Sequence, residues 1–297
     1  MPIDFPAAAA FMATHARVLD RHRFALHFDG AGPDGVLAAL DAYRNRDGGY
    51  GWALEPDLRS PESQPGGAFH AFETLADAAP ATSPRAVELC DWCQSVSLPD
   101  GGLPFAFPVS QAAGTAPWWR AADPGVSSLH ITAAIASRAH AVARHDPAVA
   151  GHPWLERATR FCLDAAAEPD RPRSTLELLF TLDLLDAIAG DEPAAAALLD
   201  RFASAIPASG SLHVQGGAAD EFIRPLDFAP FPGRPVRDRL APDVVAADLD
   251  RLAGEQRDDG GWDVDFQSYS PAAALEWRGY MTVRALSVLH RNGRIDS

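Results

Sequence analysis

The segment at residues 50–59 reads Tyr-Gly-Trp-Ala-Leu-Glu-Pro-Asp-Leu-Arg, with two carboxylates two residues apart beside aromatic side chains. A carboxyl group in an aromatic pocket has a raised pKa, because burial disfavours its charged form. Such a group can protonate an alkene or an epoxide, while aromatic faces stabilise the resulting carbocation. We therefore predict catalytic roles for Glu55 and Asp57 and substrate contacts for Tyr50, Trp52 and Arg59. The alternative is that these carboxylates cap helix N-termini.

A similar pattern occurs near the C-terminus, where residues 262–266 read Trp-Asp-Val-Asp-Phe. Asp265 is the favoured acid, with support from Asp263, and Trp262 is a candidate for stabilising a cation. Helix capping is again the alternative for both aspartates.

Two further groups combine charge with tryptophan. Glu276, Trp277 and Arg278 are consecutive on an apolar helical stretch, where unpaired charges are costly to bury. They are interpreted either as substrate contacts or as members of an internal ion pair. Trp118 and Trp119 precede an arginine and are suited to stacking on a flat or apolar ligand, with core packing as the alternative.

No metal or cofactor site is predicted. Cys90 and Cys93 form a lone Cys-x-x-Cys, and Cys162 adds a third thiol without the fourth ligand that zinc needs. The sequence contains no His-Glu-x-x-His and no Gly-x-Gly-x-x-Gly. Each histidine on an expected inner helix is interpreted as structural, namely His70, His130 and His213.

These candidates follow a repeated turn. Asp-Gly-Gly begins at Asp47, Asp100 and Asp259, so the first two copies are 53 residues apart and the last two 159, three times 53. Each copy follows a helical stretch and precedes an aromatic cluster. Two further units are therefore expected between the second and third copies.

The repeated unit is interpreted as a helix, a glycine turn, a polar and aromatic loop, and a second helix. Ser270 before Pro271, and Ser174 three residues before Glu177, are typical helix starts. Strand-like alternation is nearly absent, which predicts an all-α fold of about five helical hairpins in a single domain spanning residues 1–297. Because neither end unit looks polar, closure into an α/α toroid is favoured over an open solenoid. The proline-rich residues 207–242 break the repeat and are predicted to be a lid or a degenerate unit.

The third turn also carries a family resemblance. Gln256-Arg-Asp-Asp-Gly-Gly-Trp262, which follows an amphipathic helix, resembles the glutamine–tryptophan repeat of squalene–hopene and related terpene cyclases. More loosely, it is similar to the repeat of protein prenyltransferase β subunits. Gln94 with Gly101, and Asn45 with Gly48, look like degenerate copies. The resemblance implies an α/α toroid whose inner helices surround an apolar cavity.

The sequence departs from that family at its catalytic motifs. The Asp-x-Asp-Asp acid of class II cyclases is absent, and Asp263-Val264-Asp265 is the nearest string. Asp258, Asp259 and Asp263 do not have the Asp-Asp-x-x-Asp spacing with which class I cyclases bind magnesium. The motif therefore indicates the fold more than the reaction.

Composition restricts the partners. The 297 residues include 40 acidic side chains against 25 basic ones, every one of them arginine, for a net charge of −15. Such a surface repels nucleic acid and anionic membranes, so the expected partner is a small apolar molecule, in particular an isoprenoid. No secretory signal or apolar stretch of about 18 residues is present, which favours a soluble cytoplasmic protein.

Three functions remain open from the residues. The first is a terpene-cyclase-like isomerase or lyase that uses acid-initiated cyclisation. The second is a carbohydrate-active hydrolase or lyase, because paired carboxylates with tryptophan platforms suit sugars. The third is a non-catalytic ring that binds a small apolar ligand or a partner protein. The polarity of the central cavity would distinguish them.

Overall fold

A computed structural model of the protein describes residues 3–169 and 174–295. The described residues are mostly helical, with one two-stranded sheet, which confirms the all-α prediction. In chain order the helices are α1 (Phe5–His15), α2 (Val18–Phe28), α3 (Asp34–Asp41), α4 (Pro65–Asp77), α5 (Pro84–Val96), α6 (Pro117–Arg120), α7 (Leu129–Ala143), α8 (Pro147–Ala150), α9 (Pro153–Ala167), α10 (Thr175–Ile188), α11 (Pro193–Ala203), α12 (Pro225–Phe228), α13 (Pro242–Gly254) and α14 (Pro271–Arg291).

The chain divides into two compact units. We call residues 36–199 the middle unit, and residues 1–35 with 200–297 the terminal unit. In the middle unit α7 packs against both α4 and α10, and α9 packs against α7 and α5. In the terminal unit α14 packs against α1, α2 and α13. The largest side chains in the terminal core include Phe11, Met12 and Trp262.

Helix starts agree with the capping patterns in the sequence. Ser270 Oγ accepts the Ala273 N–H at 3.2 Å, and Ser174 Oγ accepts the Glu177 N–H at 3.1 Å. The side chains thereby satisfy backbone donors that the first turn of a helix leaves unpaired. Helices α14 and α10 begin at the following residue in each case.

The three Asp-Gly-Gly turns have the same construction. Each aspartate accepts the N–H of the second glycine at 3.0–3.1 Å, and each first glycine has a φ of 90–95°. A Cβ on Gly48 would lie 3.0 Å from the Glu88 carbonyl oxygen of α5, and one on Gly101 would lie 3.0 Å from that of Arg157 in α9. The turns are thus built for close approach to a helix backbone, so these aspartates have a structural role.

The third turn makes this approach to the first helix of the chain. A Cβ on Gly260 would overlap the backbone carbonyl of Ala7 in α1. Gln256 adds hydrogen bonds to the residue before α1, because its side chain pairs with both the N–H and the carbonyl of Asp4 at 2.8 Å. At the third turn, α1 therefore makes the close backbone contact that α5 makes at the first turn and α9 makes at the second.

The segment at residues 207–242 has little regular secondary structure. It contains the antiparallel strands β1 (Leu212–His213) and β2 (Phe222–Ile223), the single turn α12 and a 3₁₀ turn at Arg237–Arg239. Within the part of the chain that the structure describes, no helix combines the length and apolar character needed to cross a bilayer.

Candidate active site

The first turn of α4 fixes the loop that carries Glu55. The buried Gln64 precedes this helix; its N–H donates to the Tyr50 carbonyl at 2.9 Å, and its side-chain amide pairs with the backbone of Phe107 at 2.9 and 3.2 Å. Gly67 lies so close to the Tyr50 carbonyl that a Cβ there would overlap it. Two loops from different parts of the sequence thus meet at one helix end.

The same loop has an unusual backbone just before Glu55. Trp52 and Ala53 have φ values of 56° and 62°, in the left-handed region that non-glycine residues seldom occupy. The Trp52 N–H donates to the Ser60 carbonyl at 2.7 Å, and its indole N–H donates to Asn45 Oδ1 at 2.8 Å. Backbone strain of this kind persists where surrounding contacts enforce it, and it is common at functional sites.

Glu55, His70 and Glu73 form a buried group that we call the carboxylate–histidine cluster. His70 Nε2 lies 2.8 Å from Glu55 Oε2, and His70 Nδ1 lies 2.9 Å from Glu73 Oε2. The second oxygen of Glu55 accepts the Asp57 N–H at 3.1 Å. Solvent reaches only 7% of the His70 side chain, 9% of Glu55 and 14% of Glu73. Both edges of one imidazole ring are therefore occupied by carboxylates in a nearly dry environment.

The cluster holds His70 in its charged form. Burial by itself lowers the pKa of His70, but the hydrogen bonds and negative charges of Glu55 and Glu73 outweigh it and raise the pKa to about 9. At neutral pH both ring nitrogens therefore donate, one to each carboxylate. The proton on Nε2 therefore lies in the hydrogen bond to Glu55.

An aromatic wall continues from this cluster. We use that name for Phe69, Phe105, Trp119, His130 and Phe180. Adjacent ring centroids are 4.5 Å apart for Trp119 and Phe105, 5.2 Å for Phe105 and His130, 4.8 Å for His130 and Phe180, and 5.7 Å for Phe180 and Phe69. Phe69 is in turn 4.9 Å from the His70 ring.

The rings of the wall are partly accessible to solvent. Trp119 is 9% exposed, whereas the other four rings are half-buried. Burial lowers the pKa of His130 to about 4, so this ring is neutral at pH 7 and adds an uncharged face. Glu55 Cγ and Trp119 Cη2 would lie 3.4 and 3.2 Å from a Cβ on Gly66, which places the acid beside one end of the wall.

Charged side chains from α7 and α10 extend the cluster. Arg138 Nε lies 4.0 Å from Glu73 Oε1, and another of its nitrogens donates to Asp183 Oδ2 at 2.7 Å. Ser137 Oγ donates to the same Asp183 oxygen at 2.8 Å. The Arg138 guanidinium also lies 5.8 Å from the centroid of Phe69. Three packed helices thus share one connected set of polar groups.

Among the residues predicted from the sequence, those of the middle unit differ in exposure. Tyr50 and Asp57 are buried with Glu55, and Trp119 belongs to the wall. Trp52 and Trp118 are 56% and 47% exposed, and Arg59 is half-buried. The structure therefore brings Glu55 and Trp119 together and leaves Trp52 and Trp118 with wide solvent access.

In the terminal unit, the predicted carboxylates face arginines. Asp263 pairs with Arg257 at 2.8 Å and with Arg278 at 2.6 Å. Asp265 is 46% exposed and lies 3.5 Å from Arg224. Burial and the nearby Asp227 carboxylate raise the pKa of Asp265, and the charge of Arg224 opposes this.

The other predicted residues of that unit have packing or pairing roles. Trp262 is buried, and its indole N–H donates to the Leu252 carbonyl at 2.8 Å. Trp277 packs edge-on against Phe266 with centroids 5.3 Å apart. Arg278 also pairs with Asp259 at 2.7 Å, so the internal ion-pair interpretation describes its contacts, and Glu276 is half-buried.

No metal site is built from the residues that the structure describes, in which no three His, Cys, Asp or Glu side chains are placed to bind an ion. The cluster itself shows why, because Glu55 and Glu73 approach opposite edges of the His70 ring and do not converge on one point. The three cysteines are free and buried, and burial raises the pKa of Cys90 to about 12. Their environment is that of packed thiols.

Comparison with known proteins adds no family assignment, because the sequence matches none of the protein-family models and none of the curated proteins with which it was compared.

Sequence reasoning missed most of the cluster and the wall. His70 was interpreted singly, although His-x-x-Glu with Glu73 places both groups on one face of a helix. The half-buried phenylalanines carry no signal of their own, since phenylalanine is common in any core. The missed residues are Phe69, His70, Glu73, Phe105, His130, Arg138, Phe180 and Asp183.

Proposed function

We propose that the protein is a terpene-cyclase-like enzyme, which rearranges an isoprenoid or other apolar substrate by acid-initiated cyclisation. The carboxylate–histidine cluster next to the aromatic wall carries this proposal. Glu55 would exchange a proton with the substrate, and His70 would supply and recover that proton through Nε2. The rings of the wall would stabilise the intervening cation.

The charge of the cluster restricts the class of substrate that it could protonate. A proton shared with an imidazolium is a weak acid toward an isolated double bond, whereas the oxygen of an epoxide is far more basic than alkene carbon. We therefore favour an apolar substrate that carries an epoxide or a similar oxygen. A cyclisation that loses a proton to Glu55 at the end returns the cluster to its starting state, so no other reactant is required.

The carbohydrate alternative is less well supported. Glycosidases place two carboxyl groups on opposite sides of the scissile bond, about 5–10 Å apart, with room for a substrate or water between them. Here the two carboxylates of the cluster have one imidazole ring between them. That ring occupies the place where the sugar bond would have to lie.

For the fold, we propose that the helices close into an α/α toroid. The contact of the third glycine turn with α1 supports closure, since it repeats the contacts of the first two turns with α5 and α9. Small-angle X-ray scattering tests this proposal, because an open array of the same helices has a larger radius of gyration than a closed ring.

The experiment is an incubation of purified protein with squalene, its terminal epoxide and C15–C20 prenyl diphosphates, followed by mass spectrometry of the products. Loss of general acid–base catalysis lowers rates about 10²- to 10⁴-fold, and we expect Glu55→Gln to reduce product formation by this factor. His140→Gln is the matched control, since His140 is a middle-unit histidine that contacts Thr159 at 2.8 Å, outside the cluster.

Asp265→Asn tests the acid predicted from the sequence. If Asp265→Asn abolishes product while Glu55→Gln retains it, the assignment of Glu55 is wrong. If the wild-type protein quenches its tryptophan fluorescence on binding these ligands but forms no product, the third function, a non-catalytic binding protein, replaces the enzyme.

A further inference from the structure

Glu73 differs from Glu55 in its place within the cluster. It lies three residues after His70 on α4, so both side chains project from the same face of one helix. Its Oε2 contacts His70 Nδ1, the nitrogen that points away from Glu55. Glu73 is therefore one side chain removed from the group that we propose exchanges a proton with the substrate.

Glu73 also lies near a cation from α7 that is itself held by α10. Arg138 of α7 lies 4.0 Å from its Oε1, and Asp183 of α10 binds Arg138 at 2.7 Å. Ser137 anchors Asp183 with a further hydrogen bond of 2.8 Å. A carboxylate whose two oxygens both have cationic neighbours has little freedom to rotate, so it can define the orientation of the imidazole.

We propose that Glu73 is a positioning residue of this site, which fixes the orientation of the His70 ring and keeps that ring charged, so that Nε2–H remains directed at Glu55. This inference rests on the proposed function only in that Glu55 is taken as the group that meets the substrate. A carboxylate that orients an imidazole from its far edge is a recurring arrangement in acid–base catalysis.

The groups that face the His70 ring account for its charge. Glu55 from the loop and Glu73 from α4 both favour the protonated form. An opposing positive charge comes from Arg138 of α7, which lies 4.0 Å from Glu73. The neutral His130 of α7 belongs to the aromatic wall that reaches His70 through Phe69. Removing the charge of Glu73 while keeping its shape should therefore make the ring easier to deprotonate.

The test is Glu73→Gln, whose amide oxygen can still accept from Nδ1. The titration of His70 is followed by NMR on protein with labelled histidine, with the signal assigned by its loss in His70→Gln. We expect the pKa of His70 to fall by at least one unit, and the high-pH limb of kcat/KM to move down with it while KM is nearly unchanged. Asp91→Asn is the matched control, since it removes the carboxylate beside His152, 3.1 Å away, in the same unit.

Glu73→Asp separates charge from shape. It retains the carboxylate, so it should restore most of the His70 titration, and it keeps the proposal testable if Glu73→Gln does not fold. An unchanged His70 pKa in Glu73→Gln, or an equal fall in both variants, would overturn the positioning role. Because the titration needs no substrate, it decides this role even if no product is ever found and the proposed function fails.

Discussion

The loop at residues 50–59 and the loop at residues 262–266 have the same sequence pattern and different environments. Both follow an Asp-Gly-Gly turn, and both place two carboxylates two residues apart beside tryptophan. In the first loop, Glu55 is buried against a histidine and an aromatic wall. In the second, Asp263 and Asp265 are 41% and 46% exposed and lie beside arginines.

The difference arises from residues outside both loops. Glu55 meets His70 because α4 begins shortly after its loop and presents that ring. Asp263 meets Arg257 before the turn and Arg278 in α14. An arginine stays charged at all ordinary pH values, whereas a histidine can exchange its proton. Two loops with the same spacing of carboxylates thus have different charged partners, a histidine in the first and arginines in the second.

The largest contrast is expected when each partner is removed. His70→Gln removes the cation that lies between two buried carboxylates and should lower the free energy of unfolding by about 3–5 kcal/mol. Arg257→Gln removes a pair in which both side chains are well exposed and should cost less than about 1 kcal/mol. Urea unfolding of the two variants measures this, and equal costs would contradict the distinction between the loops.

The first and third glycine turns should also differ in how much stability an alanine substitution removes. Gly260→Ala places a Cβ onto the Ala7 carbonyl at a φ of 92°, and we expect a loss of about 2–4 kcal/mol. In Gly48→Ala the nearest atom is 3.0 Å from the Cβ, so the loss should be about 1–2 kcal/mol. Gly254→Ala, at the end of α13 with nothing within 4 Å, is the control and should be neutral or slightly stabilising. Thermal unfolding gives the order, and a reversed order would show that the turns are packed differently.

The charge of His70 predicts that stability depends on pH in the alkaline range. The pKa of His70 rises from about 6.5 in the unfolded chain to about 9 in the folded one, so folding stabilises the protonated ring. Its contribution, about 3 kcal/mol, is complete below pH 6.5 and is lost as the pH rises through 9.

Buried thiols complicate the same pH range. Burial raises the pKa of Cys90, Cys93 and Cys162, so they also reduce stability above their unfolded pKa. We therefore compare the free energies of unfolding of wild type and His70→Gln, measured in urea from pH 6 to pH 10, because the thiols contribute equally to both proteins. The difference between the two should shrink as the pH rises, and a constant difference would mean that His70 is not charged in the folded protein.

The smallest effect concerns the backbone before Glu55. Ala53→Gly should relieve the left-handed φ of 62° and raise the free energy of unfolding by up to about 1 kcal/mol, less the entropy that glycine adds to the unfolded chain. We expect product formation to fall at the same time, because a freer loop positions Glu55 less well. A stability gain with unchanged activity would show that the strain has no part in the site.

The predictions from sequence succeeded where the signal was local. The starts of α10 and α14 depend on a serine and the residues within one turn of it, so capping patterns found them. The three glycine turns were visible because each needs a positive φ that glycine adopts without strain. The candidate site is only partly predicted from sequence: Glu55 and Trp119 stand in patterns of charged and aromatic residues, whereas His70 is interpreted as a structural histidine and no predicted site includes Glu73.

The sequence alone therefore determined that this protein is helical, that its helices are joined by repeated glycine turns, and that Glu55 and Asp265 stand in similar strings of residues. These properties depend on residues within a few positions of one another, so the local sequence contains them. Only the tertiary structure decided which carboxylate meets a histidine and which meets an arginine. Those partners lie outside the two loops, and the burial of each group is a property of the packed molecule.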